Sequence, residues 1–202
     1  SLIVEECSFR TEDKIIAISD IEGNFNVFKD FLINNKITDK NLNWIFGKGH
    51  LVCNGDFFDR GNDVTAILWL IYKLENEAKI SEGKVHFIIG NHEEMNLRGY
   101  VKYVKLKYEA LANQLNIPFK ELYGINTELG RWLRTKNIAI QINDILFTHG
   151  GISPQFIDKK YSIDKANNLF RKYIGYDKDY LEFINEKAYF LFDRQGPMWY
   201  RG

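Results

Sequence analysis

Short, continuous apolar runs alternate along this chain with longer stretches in which apolar residues recur every three or four positions. Ile15-Ile16-Ala17-Ile18-Ser19, Leu51-Val52-Cys53-Asn54 and Val85-His86-Phe87-Ile88-Ile89 do not alternate with polar residues, which predicts strands buried on both faces. Between them, Val27, Phe28, Phe31 and Leu32 share one helical face, and Val64, Ile67, Leu68, Ile71 and Leu74 share another. Strand, loop and helix therefore alternate in an α/β crossover pattern. A fourth apolar run, Ile145-Leu146-Phe147, comes later, and Ala166, Leu169, Phe170 and Tyr173 mark a further helix whose face reads as packing.

Each strand stops at a polar block. Asp20-Ile21-Glu22-Gly23-Asn24 follows the first, Gly55-Asp56-Phe57-Phe58-Asp59-Arg60-Gly61 the second, Gly90-Asn91-His92-Glu93 the third and Thr148-His149-Gly150-Gly151 the fourth. Open α/β sheets bind ligands beyond the carboxyl ends of their strands, so these blocks read as one site assembled from separate loops. Its oxygen and nitrogen donors point to a pair of metal ions.

The blocks differ in specificity. Asp20 and Glu22, with Gly23 beside them, suit one cation, yet the same five residues alone would also make a solvated turn with Asn24 as helix N-cap. Gly-Asp-x-x-Asp-Arg-Gly is far more specific: Asp56 can bridge two ions, Asp59 can orient a histidine, and Arg60 offers a planar fork of donors for phosphate oxygens. Asn91 offers an amide oxygen and His92 an imidazole. His149 has the position of a further ligand, whereas His86, inside its strand, reads as a core histidine and His50 as structural or surface.

Composition narrows the class. The chain has 202 residues, 45% hydrophobic and 27% charged, enough for one domain with a sizeable core. Lysine plus arginine and aspartate plus glutamate both number 27, so no global field argues for nucleic acid or a membrane. Two cysteines, Cys7 and Cys53, are too few for a disulfide framework and favour a reducing, cytoplasmic setting. No apolar run is long enough to span a bilayer, and the opening on Ser1 leaves a removed segment open.

The order of the blocks resembles the calcineurin-like metallophosphoesterases, specifically their phosphoprotein phosphatase branch. Asn126 to Asn137 and Gly196-Pro197-Met198-Trp199-Tyr200-Arg201-Gly202 are similar to the bacterial-type Shewanella-like phosphatases within it. The resemblance implies one catalytic domain over 1–202, with two mixed β-sheets between helical layers and a helical insertion at about 95–137. It implies a first metal held by Asp20, Glu22 and Asp56, and a second held by Asp56, Asn91 and His149. His92, oriented by Asp59, would protonate the leaving oxygen, and Arg60 and Arg201 would grip the phosphate. Glu22 stands where the family has histidine, and the family's later Gly-His block would follow Gly202. The fold is therefore expected to be incomplete at the C-terminus: either the natural protein continues beyond Gly202 or the second metal lacks one ligand.

The implied activity is hydrolysis of phosphomonoesters, in phosphoprotein or with phosphotyrosine as the subgroup suggests, by in-line attack of a metal-bridging hydroxide. Mn²⁺ or Mg²⁺ is favoured by the oxygen-rich donors, with Fe or Zn as alternatives. A dinucleoside polyphosphate hydrolase is the alternative enzyme, and a phosphate-binding protein without turnover the alternative of another class. Arg98, Lys102, Lys105 and Lys107 alternate with Tyr100, Tyr103 and Tyr108, either as a helical cap over the site or as an amphipathic helix with its lysines in water. Arg98 and Arg131 stand open between substrate contact and structural pairing.

Overall fold

The computed structural model describes residues 3–202. Strand β1 (Ser8–Phe9) is followed by β2 (Ile15–Ile18), helix α1 (Phe25–Asn34), β3 (His50–Cys53), α2 (Val64–Ile80), β4 (Lys84–Phe87) and α3 (Asn91–Arg98). Helices α4 (Leu106–Gln114) and α5 (Glu128–Leu133), with a 3₁₀ turn at Phe119–Tyr123, lead into β5 (Ala139–Ile142) and β6 (Ile145–Thr148). Helices α6 (Pro154–Asp158), α7 (Ile163–Tyr173), α8 (Lys178–Ile184) and α9 (Glu186–Phe192) complete the order.

The strands form two three-stranded sheets, β2-β3-β4 and β1-β5-β6. Of the two sheets expected to be mixed, the second is: β1 runs parallel to β5, and β5 antiparallel to β6. The first is parallel throughout, because a helix returns the chain to the same end of the sheet after each of its first two strands. Its register aligns Ile18 with Cys53 and Cys53 with Phe87, so all three strands release their polar loops at one edge.

Apolar periodicity accounts for most of the core. Val64, Ile67, Leu68, Ile71 and Leu74 are all buried along α2, and Phe28 and Leu32 along α1. Val27 is 52% exposed, because it lies a third of a turn off that face and serves instead through its N–H, which the Asn24 side chain caps. Val52, Ile88, Ile140 and Ile142 fill the space between the sheets, while Ala166 and Phe170 of α7 belong to the main core. Asn167 ties α7 to β5, accepting from Ile138 and Ala139 N–H and donating to the Ala139 carbonyl. Helices thus flank both sheets.

Two expectations are corrected. Strand β2 is only half-buried, with Ala17 exposed, whereas β3, in the middle of the sheet, is buried at every position and β4, at the other edge, at three of four. The tyrosine- and lysine-bearing stretch after Arg98 is not one helix. Gly99 takes φ 91° and ends α3, and the chain turns through residues 100–105 before α4 begins.

Candidate metal centre

The first two loops continue the sheet beyond its strands. Asp20 N–H donates to the Gly55 carbonyl at 3.1 Å, Glu22 N–H to Asp56 at 3.0 Å and Gly23 N–H to Phe57 at 2.9 Å. Asp20, Glu22, Asp56, Asp59 and Arg60 all have positive φ, between 47° and 69°. Five side-chain-bearing residues in this sparsely populated region, in two adjacent loops, are a concentration of backbone strain of the kind functional sites hold. Gly23 and Gly61 explain how the loops fit. A Cβ on Gly61 would lie 2.3 Å from the Gly23 carbonyl, so the two backbones touch where any side chain would part them.

Glu93 fixes the bridging loop. Its carboxylate accepts from Asp56, Phe57 and Phe58 N–H at 2.8, 2.7 and 3.2 Å, and from Gly90 N–H at 2.8 Å. Burial pushes the Glu93 carboxyl up, and the neighbouring Asp56 charge adds to this, while the N–H donors oppose it. The sequence reading assigned Glu93 no task of its own. Its place three residues after the N-cap Gly90 is the capping-box position, which was the available signal.

Asp56 is the common member of two clusters. Ligand atoms of Asp20, Asp56 and His149 lie within 4.8 Å of one another, and so do those of Glu22, Asp56 and His92. Asn91 joins through Arg201, whose Nη2 donates to Asn91 Oδ1 at 3.1 Å and lies 3.1 Å from His149 Nε2. The structure therefore brings together Asp20, Glu22, Asp56, Asn91, His92, His149 and Arg201.

The donor set fits divalent cations. His149 Nδ1–H donates to the Asn54 carbonyl at 2.9 Å, which leaves Nε2 with a lone pair 3.1 Å from Asp56 Oδ2. The Arg201 Nη2–H, 3.1 Å away, faces the same lone pair, so a metal ion held by His149 and Asp56 would take the place of that contact. Burial works against charge on Asp56, yet His149 and His92 outweigh it and hold its carboxyl below the usual range. His149 is the converse case: burial lowers its pKa, and the Asp56 hydrogen bond and charge raise it further than that.

His92 sits at the edge of this cluster. Its Nδ1–H donates to Asp59 Oδ2 at 2.6 Å, and its Nε2 lies 3.8 Å from Asp56 Oδ2. Asn96 holds the other Asp59 oxygen at 2.8 Å and the His92 carbonyl at 2.9 Å, a contact the sequence reading missed although Asn96 is one helical turn from His92. Burial disfavours the imidazolium, but the Asp59 hydrogen bond and the charges of Asp56 and Asp59 prevail and raise its pKa. Arg60 pairs with Glu22 through Nη1.

His50, His86, Arg98 and Arg131 have other partners. His86 Nε2 and His50 Nδ1 pair at 3.0 Å, both buried. Arg98 is engaged by Glu94 at 2.7 Å and Arg131 by Glu128 at 2.5 Å, so both make structural pairs. Lys102, Lys105 and Lys107 are exposed.

The family model of calcineurin-like phosphoesterases matches residues 13–199. Shewanella-like protein phosphatase 1 of Plasmodium berghei is 34% identical over 92% of this chain and 51% of its own length. Shewanella-like protein phosphatase 2 of Arabidopsis thaliana is 26% identical over 83% of this chain and 53% of its own. The crystal structure of a cold-active protein-tyrosine phosphatase from a psychrophilic Shewanella superposes with a TM-score of 0.95, at 41% identity over 98% of this chain and 60% of that one. The chain thus spans about half the length of these two relatives.

Proposed function

Since the chain belongs to the calcineurin-like phosphoesterase family, whose members use a dinuclear divalent metal centre, we propose that it hydrolyses phosphomonoesters, with phosphotyrosyl protein as the substrate class. The observation that carries this reading is Asp56, shared by two donor clusters beside a histidine locked to a carboxylate. As the resemblance implies, Asp20, Glu22 and Asp56 would hold one ion, and Asp56, Asn91 and His149 the other; the observed groupings share Asp56 with that division but set Asp20 with His149 and Glu22 with His92. When bound, such a pair supplies an activated water and neutralises phosphoryl charge. The oxygen-rich donors favour Mn²⁺ or Mg²⁺.

The protein's own groups do the rest. Asp56 is oriented by the His92 N–H, which donates to its Oδ1 at 3.0 Å, and its loop is held by Glu93. Arg60 and Arg201 bind the phosphoryl oxygens, presenting planar donors where charge gathers during transfer. His92 carries a proton at Nε2 and gives it to the leaving oxygen. Asp59 fixes the tautomer this requires, since Nδ1–H is committed to its carboxylate.

The tyrosine-phosphatase neighbour supports phosphotyrosine as the substrate group. The test is to supply the protein, with Mn²⁺ or Mg²⁺, with a phosphotyrosyl peptide and with diadenosine tetraphosphate. Release of phosphate from the peptide at the higher kcat/KM is expected. Turnover of the dinucleotide alone, or of neither compound, would overturn the reading.

A further inference from the structure

Tyr103 lies in the turn between α3 and α4, which Gly99 directs back toward the metal centre. Its carbonyl accepts from Arg60 N–H at 3.0 Å. Its ring centroid is 5.3 Å from that of His92 at an interplanar angle of 56°, and 5.6 Å from the Arg60 guanidinium carbon. Lys102 Nζ lies 5.3 Å from the same ring. The residue remains 37% exposed, so its ring is not consumed by the core.

The two neighbours define where a substrate must pass. Arg60 belongs to the phosphoryl oxygens and His92 to the leaving oxygen, so the group attached to that oxygen emerges beside the Tyr103 ring. An alkyl group there gains only from contact area, whereas an arene also gains from the edge-to-face or offset attraction of aromatic pairs.

We propose that Tyr103 is a specificity-determining residue that selects aryl over alkyl phosphate esters by packing its ring against the leaving group. The inference rests on the phosphomonoesterase reading for the orientation of the substrate. It assigns Tyr103 no part in bond breaking. The ring acts on substrate binding, and it should be felt in KM more than in kcat.

Calorimetric titration of the metal-loaded protein with benzylphosphonate and ethylphosphonate tests this without turnover, because their carbon–phosphorus bonds replace the scissile ester. The parent should bind the benzyl compound more tightly. Tyr103→Leu should reduce the benzyl-to-ethyl affinity ratio by about 3- to 10-fold, the worth of one aromatic pair. Tyr103→Phe should keep the ratio within about twofold, since the ring and not the hydroxyl makes the contact. No benzyl preference in the parent, an unchanged ratio in Tyr103→Leu, or equal weakening of both phosphonates would overturn the proposal. The last of these would make the ring a support for Arg60 and His92. If the ratio behaves as expected while no phosphate ester is hydrolysed, the selectivity stands and the hydrolase reading falls.

Discussion

His92 Nδ1 and Asp59 Oδ2 are 2.6 Å apart in a buried pair, and this contact leaves Nε2 as the one imidazole nitrogen that can serve a substrate. Removing the ring should therefore matter in proportion to the leaving group's need for a proton. His92→Ala is expected to lower turnover of an alkyl phosphate by roughly 10²–10⁴-fold, and that of a nitrophenyl ester much less. Steady-state kinetics on the two esters checks it, and equal losses would make His92 structural.

The same pair gives a pH prediction. Burial opposes the imidazolium, but Asp59 and its acidic neighbours raise the pKa of His92. The proton is consequently kept to higher pH than on a free imidazole, and activity that depends on it falls only above the raised value. Asp59→Asn removes a raising influence, so the alkaline limb of kcat for an alkyl phosphate should move to lower pH. A pH–rate profile of the two proteins decides this.

Glu22 offers a test with a readout apart from activity. Its carboxylate pairs with Arg60 and lies with Asp56 and His92 in one donor cluster. Glu22→His would replace a hard, charged ligand by a neutral imidazole, which suits Zn²⁺ better relative to Mn²⁺. Competitive binding of the two metals, followed by calorimetry, should shift toward Zn²⁺ in the variant. An unchanged preference would leave Glu22 as a partner of Arg60 only.

Glu93 should act on both stability and metal affinity. Glu93→Gln turns one of two accepting oxygens into a donor, leaving buried N–H groups of the Asp56 loop unpaired. A cost of about 1–3 kcal/mol per unsatisfied group is the usual scale. Urea denaturation should show a lower midpoint, and Mn²⁺ should bind more weakly because Asp56 is no longer held in place.

These supports were the least legible part of the sequence. The strand ends and their ligand blocks could be read because apolar runs and short polar blocks are local features, and Asp56, Asn91, His92 and His149 do meet beside Asp20 and Glu22. The links from Glu93 to Phe57, from Asn96 to Asp59 and from Asn54 to Thr148 join residues far apart in sequence, so they depend on the closed fold. The break at Gly99 was missed for another reason. The residues after it keep an apparently amphipathic mixture of tyrosine and lysine, while the left-handed glycine overrides that pattern.

His86 predicts how the fold responds to acid. Burial, with positive neighbours adding to it, lowers its pKa from 6.5 to about 3. An unfolded chain binds this proton first as pH falls, so the stabilising contribution is complete above about pH 6.5 and is lost progressively toward pH 3. This one group should cost about 2 kcal/mol between pH 7 and pH 5. His86→Phe should show a flatter dependence in urea denaturation over that interval, and an identical slope would contradict the assignment.

Asp56, shared by both donor clusters, would serve two metal ions that together support ester hydrolysis. Metal-stripped protein titrated with Mn²⁺, with nitrophenyl phosphate hydrolysis read after each addition, tests it most directly. Activity should rise until about two equivalents per chain are bound, and should be lost in Asp56→Asn at every addition. Saturation at a single equivalent, or parental activity in Asp56→Asn, would contradict it.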